Sequence, residues 1–255
     1  MAQQFGFAQT RRLILLAVFV CFSCKAQESN DLGKLVRSVS GWGDELNSSA
    51  QIKLEAHLMA KQPRNGADYA LYDFYLTGAP ADQVYTIFQW PLGKPQPETV
   101  MLAYISDNGR LCMHAIGCQG TSGPYVLLAF LSFPGLPHRI GIVSEDKKYK
   151  AVVMVVPDPI VAKDKGCSVE VIRVREDFSL TVLRGKGFQP HDEIKYTSNS
   201  EGEVINGTLT ADWLGEFSMG FGPGVKGKRT GTDRLSFKAP GCAPTVSYRW
   251  APFGE

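Results

Sequence analysis

Short runs of apolar, β-branched and aromatic residues, separated by Gly, Pro, Asn or Asp, dominate the chain after residue 48. Runs of this length and spacing predict β-strands joined by turns. The strands predicted in the first region are Gln51–His57, Tyr69–Tyr75, Val84–Trp90, Val100–Ser106, Tyr125–Phe130, Ile140–Val143 and Tyr149–Val156, after a run near Lys34–Ser40. Those predicted in the second region are Ser168–Val174, Leu180–Arg184, Glu193–Thr197, Val204–Ala211, Glu216–Phe221, Asp233–Lys238 and Thr245–Trp250. Because no window carries a sustained helical period with caps, the pattern predicts an all-β protein.

A proline-rich boundary separates the two regions. Pro157-Asp158-Pro159 is stiff, and the polar segment Val161–Gly166 that follows it is typical of a connector. We therefore predict a tether over 27–48, a first β-sandwich-like domain over 49–157 and a second sandwich over 158–255. About seven short strands in roughly 90 residues are typical of an immunoglobulin-like sandwich. The expected fold is all-β, with two Ig-like sandwich domains in tandem after an export signal.

Two glycine-centred motifs lie in the second region. Gly185–Ile194 reads GKGFQPHDEI, and Thr210–Phe217 reads TADWLGEF. They resemble the G-x-G-F-x-P-x-E-x-V stretch and the T-A-D-x-x-G-x-F hairpin of bacterial immunoglobulin-like extracellular domains, with Asp192 in place of Glu and Ile194 in place of Val. The resemblance covers residues 167–250. It implies an Ig-like sandwich of the kind found in binding, stalk or spacer modules, and it implies no catalytic activity.

The N-terminus is predicted to be an export signal over residues 1–26. Arg11-Arg12 precedes the apolar run Leu13–Ser23, which is the order found in a secretory signal. This run is shorter than the roughly 20 residues that span a membrane, and its place behind two arginines favours a signal over a buried core helix. Two processing routes stay open: lipidation of Cys24, which follows a small residue, or cleavage after Ala26.

Composition and charge limit the possible partners. Hydrophobic residues make up 44% of the chain and charged residues 20%, which is typical of a globular protein. The formal charge is +2, from 27 basic and 25 acidic residues. Residues 1–23 hold two arginines and no acidic residue, so their removal leaves a neutral chain. Because a neutral chain lacks a basic footprint, we expect no nucleic-acid partner and no membrane contact except through a lipid anchor.

The cysteines outside the export segment are Cys112, Cys118, Cys167 and Cys242. An oxidising compartment favours disulfides over thiol catalysis, and four cysteines allow three pairings. The first two enclose a short loop, whereas the last two lie beside the first and last strands of the second domain, where strand ends approach each other. We therefore predict the pairs Cys112–Cys118 and Cys167–Cys242, with buried free thiols as the alternative.

No catalytic, cofactor or metal motif emerges from the chain. Gly185-x-Gly187 lacks the third glycine and the following helix of a nucleotide site. The histidines are widely separated, and no serine lies in a G-x-S-x-G elbow. We predict no catalytic residue, no cofactor and no metal. Glu55, His57 and Asp73 are the polar group that a hydrolase site in the first domain would use.

Four tryptophans, Trp42, Trp90, Trp213 and Trp250, are the candidate ligand contacts. An exposed ring on a sandwich stacks on a sugar or docks a protein, whereas a buried ring fills the core. We expect a non-enzymatic binding or structural module, located in the periplasm, on the outer membrane as a lipoprotein or outside the cell, with a protein or carbohydrate partner in the envelope. The alternative is an extracytoplasmic hydrolase that acts on envelope polymers. Convergent titratable groups in a pocket favour the hydrolase, and exposed aromatic residues favour the binding module.

Overall fold

The computed structural model describes residues 49, 51–64, 66–92, 97–114, 116–118, 124–175 and 179–251. These ranges contain sixteen strands and no helix, so the predicted all-β class is confirmed. Consequently the described part of the chain has no helix of the length and apolar character needed to cross a membrane. The predicted export signal, Cys24, Trp42 and the strand near Lys34–Ser40 lie outside the described residues.

The first eight strands form two antiparallel sheets. They are β1 (Lys53–Arg64), β2 (Ala67–Thr77), β3 (Tyr85–Trp90), β4 (Glu98–Ile105), β5 (Leu111–Met113), β6 (Leu127–Leu131), β7 (His138–Ser144) and β8 (Lys150–Val155). One sheet has the order β1-β2-β6 and the other the order β5-β4-β3-β7-β8. Alternate residues, such as Phe74 and Leu76 of β2 and Tyr85 and Ile87 of β3, are buried in one hydrophobic core. This burial of one set of alternate positions is what the strand period of two requires.

The remaining eight strands form two further antiparallel sheets, each of four strands. They are β9 (Ile160–Asp164), β10 (Cys167–Arg173), β11 (Thr181–Lys186), β12 (Glu193–Ser200), β13 (Glu203–Thr210), β14 (Phe217–Phe221), β15 (Gly231–Lys238) and β16 (Thr245–Trp250). The sheet orders are β14-β11-β10-β9 and β13-β12-β15-β16. A separate core with Val169, Leu183, Ile194 and Phe237 at its centre lies between them. The predicted domain boundary falls between β8 and β9.

The segment that we predicted as a connector, Val161–Gly166, is instead largely strand β9. It pairs with β10 from Asp164 opposite Cys167 to Ile160 opposite Val171. Ile160 and Ala162 pack against the second core. The prediction was wrong because the polar residues from Lys163 to Gly166 outweighed the short apolar run Ile160-Val161-Ala162 with which this edge strand begins.

The two pairs of sheets contact each other around the loop that precedes β7. The N–H of Gly135 donates to the carbonyl of Asp158 at 2.7 Å, and the N–H of Arg173 donates to the carbonyl of Gly135 at 2.8 Å. Beside these bonds, Met154 of β8 packs against a small cluster that includes Ile172 and Val182. Residues near the predicted boundary therefore take part in packing and hydrogen bonds.

A buried carboxyl group lies in the second sandwich. Asp233 of β15 is 0% exposed. Its Oδ1 accepts a hydrogen bond from Ser198 Oγ at 2.8 Å, and its Oδ2 accepts one from Tyr248 Oη at 3.3 Å. Burial raises the pKa of Asp233, and the bonds from Ser198 and Tyr248 oppose that shift only in part.

Asp233→Asn is expected to remove a pH dependence from the stability of this sandwich. The raised pKa means that the folded state holds the proton more tightly than the unfolded state does. The free energy of unfolding therefore falls as the pH rises from the unfolded value of about 4 through the folded value. Urea unfolding of both proteins from about pH 4 to pH 7 measures this fall. The exposed Asp107→Asn is the control, and an unchanged slope in Asp233→Asn would contradict the assignment.

Candidate functional site

The three tryptophans that the structure describes have different environments. Trp250 is 5% exposed, and its Nε1 donates to Ser200 Oγ at 3.0 Å. It is a core residue and not a ligand contact, because its place at an inward position of β16 buries the ring. Trp90 is partly buried with its ring 5.0 Å from the guanidinium carbon of Arg139. Trp213 is 71% exposed, which makes it the most accessible of the three described tryptophans.

The turn that carries Trp213 is held by the side chain of Asp212. Asp212 Oδ1 accepts hydrogen bonds from the N–H groups of Leu214 at 2.8 Å and Glu216 at 2.9 Å. The backbone closes the same turn, because the Asp212 N–H donates to the Glu216 carbonyl at 2.7 Å. These bonds satisfy the backbone of the turn, which presents Trp213 and Leu214, the latter 56% exposed, to the solvent.

The first of the two glycine-centred motifs, Gly185–Ile194, is hydrogen bonded to the turn that carries Trp213. The Phe188 N–H donates to the Gly215 carbonyl at 3.1 Å, and the Ala211 N–H donates to the Asp192 carbonyl at 3.0 Å. Gly215 has a φ of +74°, and a Cβ there would collide with the carbonyl oxygen of Phe188. Backbone hydrogen bonds therefore join the two motifs into one unit, in which the two adjacent unspecified positions of T-A-D-x-x-G-x-F are the exposed Trp213 and Leu214.

A cleft of about 880 Å³ lies next to this turn. It covers the outer face of the sheet β14-β11-β10-β9 and reaches the end of β13. Its charged lining residues carry both signs: Lys163, Glu170, Arg184, Lys186, Asp212 and Glu216. Such a surface offers hydrogen-bond donors and acceptors in equal measure, and it has no excess charge that would select an anion or a cation.

Arg184 is the central cation of the cleft. It lies opposite Glu170 of β10 and opposite Ser218 of β14. Burial lowers the pKa of Arg184, and the carboxylates of Glu170 and Glu216 partly offset that effect. Arg184 and Glu170 therefore form a cross-strand pair of opposite charge, which stabilises a sheet.

The predicted polar group of the first region comes together on the outer face of the sheet β1-β2-β6. His57 lies opposite Asp73, and His57 Nε2 is 3.9 Å from Glu55 Oε2. Asp73 is 2% exposed and is paired with Arg110, whose Nη2 is 3.0 Å from Asp73 Oδ2. A hydrogen bond from Lys53 lowers the pKa of Glu55. Because a general acid or base works best with a pKa near the working pH, Glu55 is poorly suited to proton transfer.

Arg110 was missed in the sequence because it stands alone after a turn. Its guanidinium carbon lies 3.6 Å from the centroid of the Tyr125 ring and 6.0 Å from that of Tyr75. No local pattern signals this arrangement, since Asp73, Arg110 and Tyr125 are far apart in the chain. Among the described residues, no group of three or more His, Cys, Asp or Glu is arranged to hold a metal ion.

Both predicted cysteine pairs are bonded in the structure. The Cα atoms are 5.4 Å apart in Cys112–Cys118 and 6.3 Å apart in Cys167–Cys242. The second pair joins the start of β10 to the residues just before β16, as expected from the sandwich topology. Two disulfides in one chain are typical of proteins that fold outside the cytoplasm.

No protein-family model and no curated protein matches the chain. Among solved structures, the BSP domain of a biofilm-associated protein is 9% identical over 89% of this chain and 55% of its own length, with a TM-score of 0.25. The chain thus spans about half of that structure. A Ca²⁺-stabilised adhesin that helps an Antarctic bacterium bind ice is 10% identical over 81% of this chain and 74% of its own, with a TM-score of 0.17. TM-scores this low define no common fold.

Proposed function

We propose that this protein is an exported, non-enzymatic binding module that holds a carbohydrate polymer of the envelope. The observation that carries the proposal is Trp213, which is 71% exposed on a turn fixed by Asp212 and Gly215. Trp213 and the adjacent Leu214, which is 56% exposed, form an apolar pair on this turn, and tryptophans are among the usual anchors of binding sites.

The surroundings of Trp213 favour a sugar chain as the ligand. The apolar face of a pyranose ring stacks on indole, and its hydroxyls pair with carboxylates and guanidinium groups. Glu170, Arg184 and Glu216 supply those groups in the neighbouring cleft. The cleft is open along a sheet face, so it suits an extended polymer and not an enclosed small molecule.

The place of the protein follows from separate observations. The disulfides favour an oxidising compartment, and the charged and apolar order of residues 1–23 favours export. Attachment through a lipid on Cys24, or release after cleavage at Ala26, are the two routes by which the module reaches the envelope or the medium. Mass spectrometry of the protein from its host distinguishes them.

The polar group Glu55, His57 and Asp73 of the first region gives little support to the hydrolase alternative. Asp73 is buried and paired with Arg110, and Glu55 pairs with Lys53, so the two carboxylates do not converge on an open pocket as a hydrolase site requires. The polymer-binding function needs no such group, because stacking and hydrogen bonding supply the affinity.

Trp213→Ala is expected to weaken binding of envelope polysaccharide by at least about tenfold, which corresponds to ~1.4 kcal/mol. The loss follows from removal of the ring on which the sugar stacks. Affinity electrophoresis against polysaccharide extracted from the envelope measures the effect, and the fluorescence of the exposed indole reports direct contact in the unaltered protein.

Trp213→Phe is the matched control, because it retains an aromatic face and is expected to retain most of the affinity. Circular dichroism of both variants checks that the turn and the fold persist. Equal binding by Trp213→Ala and the unaltered protein would overturn the proposed site, and absence of binding to every polysaccharide fraction would overturn the ligand class.

A further inference from the structure

The β13 strand is an unusual edge. Among the described strands it has a neighbour on one side only, β12, and it runs for eight residues. Its only charged residue is Glu203 at the first position, and its register with β12 is continuous, without a bulge. Val204 is 55% exposed and Ile205 is 49% exposed. A long, regular and nearly uncharged edge is a template for pairing with another strand.

Other described edges in this protein are protected. The longest of them, β1, contains a register shift between Leu58 and Ala60, two lysines and Pro63. These are devices that prevent edge-to-edge pairing. The remaining edge strands are only three to six residues long. On the opposite side of the second sandwich, Ala243 N–H donates to Asp164 Oδ2 at 2.6 Å beside β9. The contrast singles out β13 as the edge that is left open to a partner strand.

The backbone groups that face outward on β13 can be identified from its hairpin. Glu201 and Gly202 both have positive φ, 51° and 93°, as a two-residue type I′ turn requires. The closing pair Ser200 and Glu203 is then hydrogen bonded, and the pattern alternates along the strand. It follows that the N–H and C=O groups of Val204, Asn206, Thr208 and Thr210 point away from β12.

We propose that β13 pairs with β13 of a second copy of this chain, antiparallel about a two-fold axis at Gly207. In this register Val204 faces Thr210 of the second copy, and Asn206 faces Thr208, so outward-pointing backbone groups meet each other. On the other face of the sheet, Ile205 meets Leu209 of the second copy. No charged residues oppose each other, because Glu203 lies beyond the paired segment. The edge is therefore self-complementary, as an isologous interface must be.

The pairing joins the β13-β12-β15-β16 sheets of the two copies into one sheet of eight strands, and it covers Val204 and Ile205. It goes beyond the proposed binding function. It depends on the edge of β13 and not on the ring of Trp213, so different variants test the two proposals.

Thr208→Pro is the decisive variant. It removes an outward N–H, and proline is tolerated on an edge strand where the lost donor faces solvent. Sedimentation equilibrium of the exported chain is expected to show a dimer, and Thr208→Pro is expected to raise its dissociation constant at least tenfold. Thr208→Val retains the N–H and the β-branched shape, so it is expected to leave the dissociation constant unchanged.

A second measurement covers the case in which Thr208→Pro fails to fold. The amides of Val204, Asn206, Thr208 and Thr210 are expected to exchange with deuterium at least tenfold more slowly in concentrated than in dilute solution, whereas that of Ile205 changes less. A protein that stays monomeric at about 100 µM, or amide exchange that is independent of concentration along β13, would overturn the proposal; in this range a dimer of micromolar affinity is well populated.

Discussion

Arg110→Met is expected to lower the free energy of unfolding by about 3–5 kcal/mol, because it removes one partner of a buried ion pair. Asp73 is 2% exposed and has Arg110 as its ion-pair partner. Its Oδ1 already has no hydrogen-bond partner. The variant therefore leaves a buried carboxylate without its ion-pair partner.

Two tyrosine rings lie beside the guanidinium of Arg110 and add a second interaction to the ion pair. The guanidinium carbon of Arg110 is 3.6 Å from the centroid of the Tyr125 ring and 6.0 Å from that of the Tyr75 ring. Aromatic faces stabilise a cation most strongly where water is excluded. Loss of the cation thus removes the ion pair and the ring contact together.

Urea unfolding of Arg110→Met measures the expected loss. The matched control is the double variant Asp73→Leu with Arg110→Met, which removes both charges. Its free energy of unfolding is expected to equal or exceed that of the unaltered protein. Exposed Lys148, which pairs with Asp146 on the surface, supplies a second comparison: Lys148→Met is expected to cost less than about 1 kcal/mol. If the double variant is as unstable as Arg110→Met, the buried carboxylate is not the cause.

Removal of the Cys167–Cys242 disulfide is expected to cost about 4 kcal/mol. The bond spans 75 residues, so its absence releases a large loop in the unfolded chain. It also joins the first β10 residue to the segment before β16, and both cysteines are buried in the second core. Because the loop closed by this disulfide includes most of the second sandwich, loss of the bond affects the folding of that whole unit.

The double variant Cys167→Ala with Cys242→Ala tests this expectation by urea unfolding. The internal comparison is Cys112→Ala with Cys118→Ala, since that bond spans only six residues. The shorter loop is expected to contribute about 2 kcal/mol by the same relation. A larger cost for the short loop than for the long one would show that loop entropy does not control the stability of this protein.

Turn chemistry was predictable because it is local. Asp107-Asn108-Gly109 predicts a tight turn, and the structure places it between β4 and β5 with a φ of +82° at Gly109. Asn108 Oδ1 accepts hydrogen bonds from Ser106 Oγ at 2.6 Å and from the Arg110 N–H at 3.1 Å. These contacts lie within five consecutive residues, so the sequence contains all the information that determines them.

The candidate site was only partly predictable. Trp213 was one of four equivalent candidates in the sequence, and its motif identified a hairpin without showing which side chains it exposes. The cleft beside it combines residues of β9, β10, β11 and β14. Its first strand, β9, was predicted as a connector, because the prolines before it and the polar residues Lys163 to Gly166 at its end are typical of a linker.

The sequence by itself determined the all-β class, the positions of most strands and the Cys112–Cys118 pair, since alternation, turn residues and a short loop are properties of neighbours along the chain. The Cys167–Cys242 pair could be predicted because the expected sandwich topology brings its first and last strands together. The tertiary structure alone decided which tryptophan faces the solvent, that Asp73 meets Arg110 and that β13 is an open edge. These features depend on which strands become neighbours and on which face of each sheet is covered. Strand pairing joins residues far apart in the chain, and the side-chain alternation of a strand is the same whichever face is later buried.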